Sequence, residues 1–236
     1  MTRNTFLITR PAHQAAELIT SIEKNGNTCV SLPCIDISPP NDPQSIAFAI
    51  THFNQFDCCI FTSVNAVLPQ FKNVIAAYEK SLLAIGPATA KKLSSDTQQP
   101  IIIPNDYSSE GLLKLPELQL VKNVTIAIFT GDNPKPLLAD TLQAQGANIK
   151  IITCYKRSCP QYTPEQIHAI TQTNYAGIIT TSKEAFDNLM TLFEHHREWL
   201  KKQPLVVISE SMATTAKAYG FQKITITDVS IASSAR

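Results

Sequence analysis

The sequence contains the same pattern twice, with the two copies about 120 residues apart. Short apolar runs, glycines and hydroxyl-rich turns of the first half recur in the same order in the second half. The matching segments are 6–11 with 126–131, Gly26 with Gly146, 34–35 with 154–155, 59–63 with 178–182, 85–90 with 208–213, and 101–103 with 224–226. A repeat of this length exceeds the roughly 20 to 50 residues of solenoid arrays. It predicts two similar globular lobes with a cleft between them.

The composition is that of an ordinary folded protein. A chain of 236 residues is long enough for one large domain or two smaller ones, and 44% hydrophobic with 17% charged residues argues against disorder. Twenty basic and 19 acidic residues give a net charge of +1, without a basic stripe that would indicate nucleic-acid binding. An anionic ligand would therefore depend on local hydroxyls and backbone N–H groups.

Export and membrane signals are missing from the sequence. Only three consecutive apolar residues, 6–8, precede Thr9 and Arg10, which is too short for the core of a signal peptide. No apolar run approaches the roughly 18 residues of a membrane span. The six cysteines form no C-x-x-C pair and have no histidine at zinc spacing, which favours buried thiols in a reducing compartment. We therefore expect a cytoplasmic protein that does not contact membranes.

Each repeat alternates short apolar strands with helices. Apolar runs predict strands at 6–9, 30–32, 58–61, 82–85, 101–103, 125–129, 149–153, 177–180, 205–208 and 224–226. Helical spacing of apolar residues predicts the intervening helices, including one that begins at Ser63 and one over 183–200. Gly26 and Gly146 are typical helix stops. Strands that are apolar nearly throughout indicate parallel sheets covered on both faces. The predicted fold class is α/β, with two doubly wound lobes and proline-rich linkers near 33–43 and 155–164.

Small and hydroxyl-bearing residues follow the predicted strands at their carboxyl ends, where open parallel sheets bind ligands. With one arginine, the candidate binding residues are Arg10, Thr62, Ser63, Asn65, Gly86, Thr89, Thr130, Gly131, Thr181, Ser182, Ser209 and Ser211. Several of these open helices, whose first N–H groups favour an anion. Any single Ser or Thr can equally be an ordinary helix cap. Six such segments from both repeats together favour a shared cleft that binds a polyanion.

Familiar catalytic motifs do not occur in the sequence. It contains no G-x-S-x-G, P-loop, H-E-x-x-H or G-x-G-x-x-G motif. The five histidines have no repeated partner, and the charged segment around His195 and His196 favours a solvated helix face over a metal-ligand pair. The sequence therefore predicts chemistry without a metal, a cofactor or a covalent nucleophile.

Several segments taken together resemble the uroporphyrinogen-III synthase family. They are ITRP at 8–11, FTSVNAV at 61–67, AIGPATA at 84–90, YSSEGLL at 107–113 with LPEL at 115–118, CYKR at 154–157 and SESMA at 209–213. The resemblance implies two flavodoxin-like lobes joined by a two-stranded linker. One lobe would combine residues 1–35 with 165–236, and the other would be 38–160. Each lobe would thus contain the first part of one repeat and the second part of the other.

The resemblance also implies a reaction. Family members close the linear tetrapyrrole hydroxymethylbilane, which carries eight carboxylates, with loss of water and inversion of ring D. Because the bilane closes spontaneously without inversion, the enzyme would act by holding a folded conformer. Family analogy points to Tyr155, opposite Ile35 in the first repeat, as general acid or water positioner. Arg10 would pair with a substrate carboxylate, and the protein would work as a monomer without a cofactor.

Two other classes of function stay open at this point. A two-lobed protein could bind a small molecule without chemistry, although the missing export signal argues against a secreted binding protein. A regulatory module could also be built on flavodoxin-like lobes. A receiver-type module would carry an aspartate cluster at its strand ends, where this chain carries Thr and Ser.

Overall fold

The computed structural model describes residues 3–227. Its strands are β1 (Thr5–Ile8), β2 (Thr28–Ser31), β3 (Asp36–Ser38), β4 (Cys58–Phe61), β5 (Ser81–Ala84), β6 (Thr125–Gly131), β7 (Asn148–Ser158), β8 (Gly177–Ile179), β9 (Leu205–Val207) and β10 (Ile224–Ile226). Its helices are α1 (Ala12–Lys24), α2 (Gln44–His52), α3 (Lys72–Ala76), α4 (Pro87–Leu93), α5 (Ser109–Leu112), α6 (Leu137–Ala144), α7 (Pro164–Thr171), α8 (Lys183–Leu192), α9 (Arg197–Lys202) and α10 (Glu210–Ala218). The protein is therefore mixed α/β, as the sequence predicts.

The chain divides into two compact units. Unit one comprises residues 1–36 and 158–236, and unit two comprises residues 37–157. Residues 228–236, assigned to the first lobe by the sequence, lie outside the described part of the chain. The chain leaves unit one within β3 and returns at the end of β7. These two strands are neighbours in the second sheet.

Unit one contains a five-stranded sheet with the order β10-β9-β8-β1-β2. Its strand pairs are parallel, and Ile8 of β1 pairs with Ser31 on one side and Ile179 on the other. The apolar stripe of α1 packs on this sheet, because Ala15 and Leu18 are three residues apart and face Ile8. The carboxyl ends of β1, β8 and β9 consequently lie at one edge of the sheet.

Unit two contains the sheet β3-β7-β6-β4-β5, with an aromatic cluster on one face. Phe61 of β4 pairs in register with Phe129 of β6, and their rings stack at 4.3 Å with 7° between planes. Phe71 meets the Phe129 ring edge-on at 5.1 Å, and Phe53 lies 5.6 Å away. Each fully buried phenylalanine contributes roughly 1.5–3 kcal/mol by burial. The cluster holds β4 and β6 side by side, and it thereby fixes the position of the residues that directly follow these two strands.

The predicted helix from Ser63 is wrong. The chain there forms a 3₁₀ turn at Val64–Ala66, a second one at Pro69–Phe71, and then the short helix α3. Pro69 lacks an N–H group and disfavours helical geometry in the residue before it, and Leu68 is indeed extended with φ −84° and ψ 147°. A continuous helix cannot pass this point.

Two further predictions need correction. The predicted helix over 183–200 is broken, since α8 ends at Leu192 and α9 begins at Arg197. Phe193, which is fully buried, stacks on Trp199 at 5.6 Å, and this packing turns the chain between the two helices. The predicted strand at 101–103 forms only a single parallel bridge, between Leu83 and Ile102.

No helix within residues 3–227 is both long and apolar enough to cross a membrane.

Candidate functional site

A cavity of about 530 Å³ lies in unit two at the carboxyl ends of its central strands. Four of the predicted site residues line it. Thr62 follows β4, Thr130 and Gly131 end β6, and Tyr155 lies in β7. These residues are up to 93 positions apart in the sequence. They meet because parallel strands place their carboxyl ends at the same edge of a sheet.

The Tyr155 side chain is held against the backbone of β6. A β-carbon added to Gly131 would lie 2.8 Å from both Cε2 and Cζ of Tyr155, and 3.1 Å from its hydroxyl oxygen. Only glycine therefore leaves room for the ring. Tyr155 is 7% exposed and belongs to the aromatic core, while it also lines the cavity.

An irregularity in the strand register aims Tyr155 in this direction. Thr130 pairs with Thr153, but the next residue of β6, Gly131, pairs with Tyr155. Cys154 is thus an extra residue in β7, and both Cys154 and Tyr155 are buried in succession. Inserting one residue into a strand bends it and redirects the side chains that follow. The bulge is what brings the phenol of Tyr155 to the cavity.

The hydroxyl of Thr62 is already engaged with the backbone. The Thr62 N–H group and Oγ1 both donate to the Phe129 carbonyl, at 3.0 and 3.2 Å. A hydroxyl whose hydrogen is donated in this way offers only lone pairs to a ligand. To hold a carboxylate, Thr62 must first turn its hydrogen away from Phe129. Thr130, which also lines the cavity, is only 6% exposed.

The other predicted residues of unit two shape the surroundings of the cavity. Ser63 Oγ accepts from the Asn65 N–H group at 3.1 Å and caps the turn at Val64–Ala66. Gly86 caps α4, and a β-carbon there would lie 3.3 Å from Tyr107, which lines the cavity. Thr89 is 4% exposed within α4. Ser63, Asn65, Gly86 and Thr89 are outside the cavity wall.

The sequence did not place the start of α5 and the residues just before it at the site. Tyr107, Ser108 and Glu110 line the cavity together with the end of β6. Ser108 Oγ accepts from the Gly111 N–H group at 3.0 Å and donates to Asp106 Oδ2 at 2.7 Å, so the turn is held at both ends. The sequence signal was the Tyr-Ser-Ser-Glu-Gly run, which contributes to the family resemblance but does not directly follow a predicted strand.

The charges around the cavity are mixed. Lys135 and Arg157 bring positive charge, and Glu110, Asp132 and Asp140 bring negative charge. The wall is therefore not a positive surface. A ligand with several carboxylates would be held here by individual donors at fixed positions, which agrees with the near-neutral net charge of the chain.

The predicted residues of unit one gather at the carboxyl edge of its own sheet. Thr181 and Ser182 follow β8, while Ser209 and Ser211 follow β9. Ser182 Oγ accepts from the first turn of α8 at 3.1 Å, and Ser209 Oγ accepts from the first turn of α10 at 3.3 Å. Both serines are helix caps, and each keeps its own hydroxyl hydrogen to donate.

Arg10 follows β1 at the same edge and is half-buried. Burial lowers the pKa of its guanidinium below the usual value, and the nearby carboxylate of Glu17 opposes this shift. A partly desolvated guanidinium gains more from a carboxylate partner than a fully hydrated one. Within residues 3–227, no group of three or more His, Cys, Asp or Glu side chains is placed to hold a metal ion.

Comparison with known proteins identifies the family. The family model described as "Uroporphyrinogen-III synthase HemD" matches residues 16–234. The chain belongs to this family. The uroporphyrinogen-III synthase of Escherichia coli K12 is 30% identical over 232 residues, covering 94% of each chain, and that of Salmonella typhimurium LT2 is 28% identical with the same coverage.

Solved structures of the family share the fold. The uroporphyrinogen-III synthetase of Helicobacter pylori 26695 aligns over 100% of both chains with a TM-score of 0.60 and 16% identity. A mutant uroporphyrinogen-III synthase of Thermus thermophilus aligns over 99% of this chain and 100% of its own, with a TM-score of 0.60 and 17% identity. At such low identity the likeness concerns the fold alone. It agrees with the mixed α/β architecture and parallel sheets described above.

Proposed function

We propose that this protein is a uroporphyrinogen-III synthase, a cyclising lyase of haem biosynthesis that closes hydroxymethylbilane with inversion of ring D and loss of water. Membership of the family and the names of its relatives support the activity. The observation that carries the chemistry is the buried phenol of Tyr155, which reaches a cavity at the carboxyl ends of the strands in unit two.

Tyr155 is the proton donor in this proposal. The terminal hydroxyl of the bilane leaves as water only if it receives a proton, and a positioned phenol can supply it. The resulting azafulvene cation is attacked by the substituted carbon of ring D, and the spiro product fragments and recloses. When the pyrrole becomes aromatic again it releases one proton, which restores the phenol. The sum is one bilane converted to one macrocycle and one water.

Orientation of the substrate decides which isomer forms. The substrate carries eight carboxylates, and we assign them to three kinds of donor. They are the guanidinium of Arg10, the hydroxyls of Thr62, Ser63, Thr181, Ser182, Ser209 and Ser211, and the backbone around Gly86 and Gly131, with Asn65, Thr89 and Thr130 supporting these segments. Holding the bilane folded makes attack by the substituted carbon faster than simple end-to-end closure.

The fold proposed for the family explains how two such donor sets arise. In unit one, the order β2-β1-β8-β9-β10 corresponds to strands 2-1-3-4-5 along that unit, which is the flavodoxin-like order. Unit two has the order β7-β6-β4-β5, followed by the bridge at Ile102, and each of these segments corresponds in the repeat to β2, β1, β8, β9 and β10 in turn. The additional strand β3 lies outside β7. We propose that an internal duplication produced both units. We also propose that the protein acts on its small-molecule substrate as a monomer in the cytoplasm.

An assay with freshly generated bilane tests the activity. The protein should convert it mainly to the type III isomer without added metal or cofactor, whereas spontaneous closure gives type I. An unchanged ratio of the isomers, accompanied by tight binding of the bilane, would favour the alternative of a binding protein without catalysis.

Substitution of Tyr155 tests the proposed donor. We expect Tyr155→Phe to lower kcat by about 10²- to 10⁴-fold, which is the range of general acid catalysis, with little change in thermal stability. Tyr219→Phe is the control, because this tyrosine is 46% exposed in unit one. Full activity of Tyr155→Phe would remove the phenol as proton donor.

A further inference from the structure

We propose that Asp132 is a positioning residue, which fixes the backbone on both sides of Lys156 and thereby sets the direction of the Tyr155 phenol. This role rests on the proposed function of Tyr155. It requires no contact between Asp132 and the substrate. Asp132 directly follows the last residue of β6, in a strand-end segment of the sequence, but it was not one of the predicted binding or catalytic residues.

Two hydrogen bonds from this one residue carry the inference. The Asp132 N–H group donates to the Tyr155 carbonyl at 2.8 Å. Its carboxylate oxygen Oδ1 accepts from the Arg157 N–H group at 3.0 Å. The backbone of Asp132 therefore holds the tyrosine, and its side chain holds the residue two positions further on.

The bulge explains why such a clamp is needed. Because Cys154 is an extra residue in β7, the regular pairing with β6 is interrupted just before Tyr155, and β6 itself ends at Gly131. Beyond that point β7 has no further strand residue of β6 to bind. The side chain of Asp132 takes the place of the next backbone acceptor, so the ladder continues for two more residues of β7.

The repeat supports a specific role over a general one. The positions equivalent to Gly131, Asp132 and Tyr155 in the first repeat hold Pro11, Ala12 and Ile35. Alanine has no side-chain acceptor, and proline carries a β-carbon where Gly131 has none. The glycine that makes room for the ring, the carboxylate that clamps its strand and the tyrosine itself are thus all confined to one copy.

Four variants test the inference in the bilane assay. Asp132→Ala removes the acceptor for Arg157, and we expect kcat to fall by about 10- to 100-fold with KM nearly unchanged, as for a misplacement of about 1 Å. Asp132→Asn keeps an oxygen acceptor and should restore most of the rate. In the Tyr155→Phe background, Asp132→Ala should cost less than about twofold, because residues acting as a unit are not additive. Glu117→Ala, an exposed carboxylate of the same unit, is the control for lost charge.

The outcomes separate the inference from the proposed function. If Asp132→Asn is as slow as Asp132→Ala, the negative charge matters and positioning is wrong. Additive losses in the double variant would also overturn it. A readout independent of turnover is the ¹⁹F spectrum of protein labelled with 3-fluorotyrosine, in which the Tyr155 resonance is identified by its loss in Tyr155→Phe. It should shift in Asp132→Ala and move less in Asp132→Asn. An unmoved Tyr155 resonance in Asp132→Ala overturns the positioning role, whatever the turnover. A wild-type protein that produces no type III isomer would instead end the proposed function, and the ¹⁹F spectrum can still be read in that case.

Discussion

Replacing Gly131 by alanine should disable the site while leaving the fold in place. The new β-carbon would lie 2.8 Å from two ring carbons of Tyr155, whereas carbon atoms in contact are normally about 3.5–4.0 Å apart. The ring or the strand must therefore retreat by about 1 Å. If the ring resists, the overpacking costs about 1–3 kcal/mol of unfolding free energy. If it yields, the hydroxyl moves by a similar distance, and a displacement of this size can lower a rate by about 100-fold.

The assay combines urea unfolding with bilane turnover on the same preparation. We expect Gly131→Ala to lose about 3 kcal/mol or less in stability, as is typical for overpacked sites, and to lower kcat far more than a folding defect of that size explains. Gly26→Ala is the matched control. Its β-carbon would meet nothing within 4 Å, but its φ of +78° makes any side chain strained by about 1 kcal/mol. That variant should be less stable and fully active.

A second background tests the cause. Tyr155→Ala removes the ring that the new methyl group would strike. The double variant Gly131→Ala, Tyr155→Ala should therefore have nearly the same unfolding free energy as Tyr155→Ala alone. Wild-type turnover together with wild-type stability in Gly131→Ala would refute the reasoning, because it would mean that the ring and the new methyl group never compete for space.

Three other expectations concern the fold and its surface. Phe129→Ala should lower the unfolding free energy measured in urea by about 3–5 kcal/mol, because the ring is fully buried between other aromatic rings. Phe129→Leu should cost markedly less, and equal losses would contradict the close packing of these rings. Asp57 accepts hydrogen bonds from a backbone N–H group and from Lys80, and both lower the pKa of its carboxyl. The carboxylate therefore stabilises the fold above the ordinary carboxyl pKa of about 4, and this contribution is lost as the pH falls through the lower pKa of the folded state. Asp57→Asn should flatten the acid limb of a stability–pH curve, and an unchanged limb would speak against it. Burial raises the pKa of the Cys58 thiol to about 12, so iodoacetamide followed by mass spectrometry should label the half-buried Cys159 before Cys58 in the native protein. Equally fast labelling of the two thiols would be inconsistent with a buried Cys58.

Features that depend on neighbouring residues were predictable from the sequence. Apart from the run at 101–103, the apolar runs lie in strands, and Gly26 and Gly146 adopt positive φ just after the helices α1 and α6, as helix stops should. The prediction of a helix from Ser63 was wrong, although the residue that prevents the helix, Pro69, is also a local signal in the sequence. The predicted helix over 183–200 failed for a different reason, since burial of Phe193 against Trp199 is a packing effect that periodicity does not contain.

The candidate site was predictable only in outline. Residues after parallel strands had to share a sheet edge, and Thr62, Thr130, Gly131 and Tyr155 do line one cavity. Thr89 is buried inside a helix instead, because its position on the helix face depends on what the helix packs against. The cavity residues around Tyr107 were missed because their place at the cavity follows from the path of the chain before and into α5, which the sequence pattern does not contain.

The sequence by itself determined the alternation of strands and helices and the chemical types available at the strand ends, because these are encoded within a few residues of one another. Only the tertiary structure decided that Tyr155 rests on Gly131 and that Asp132 ties down the strand behind it. Those contacts join residues more than 20 positions apart across a one-residue bulge. A register shift between two strands leaves no local signal in either of them, because it is a property of their pairing.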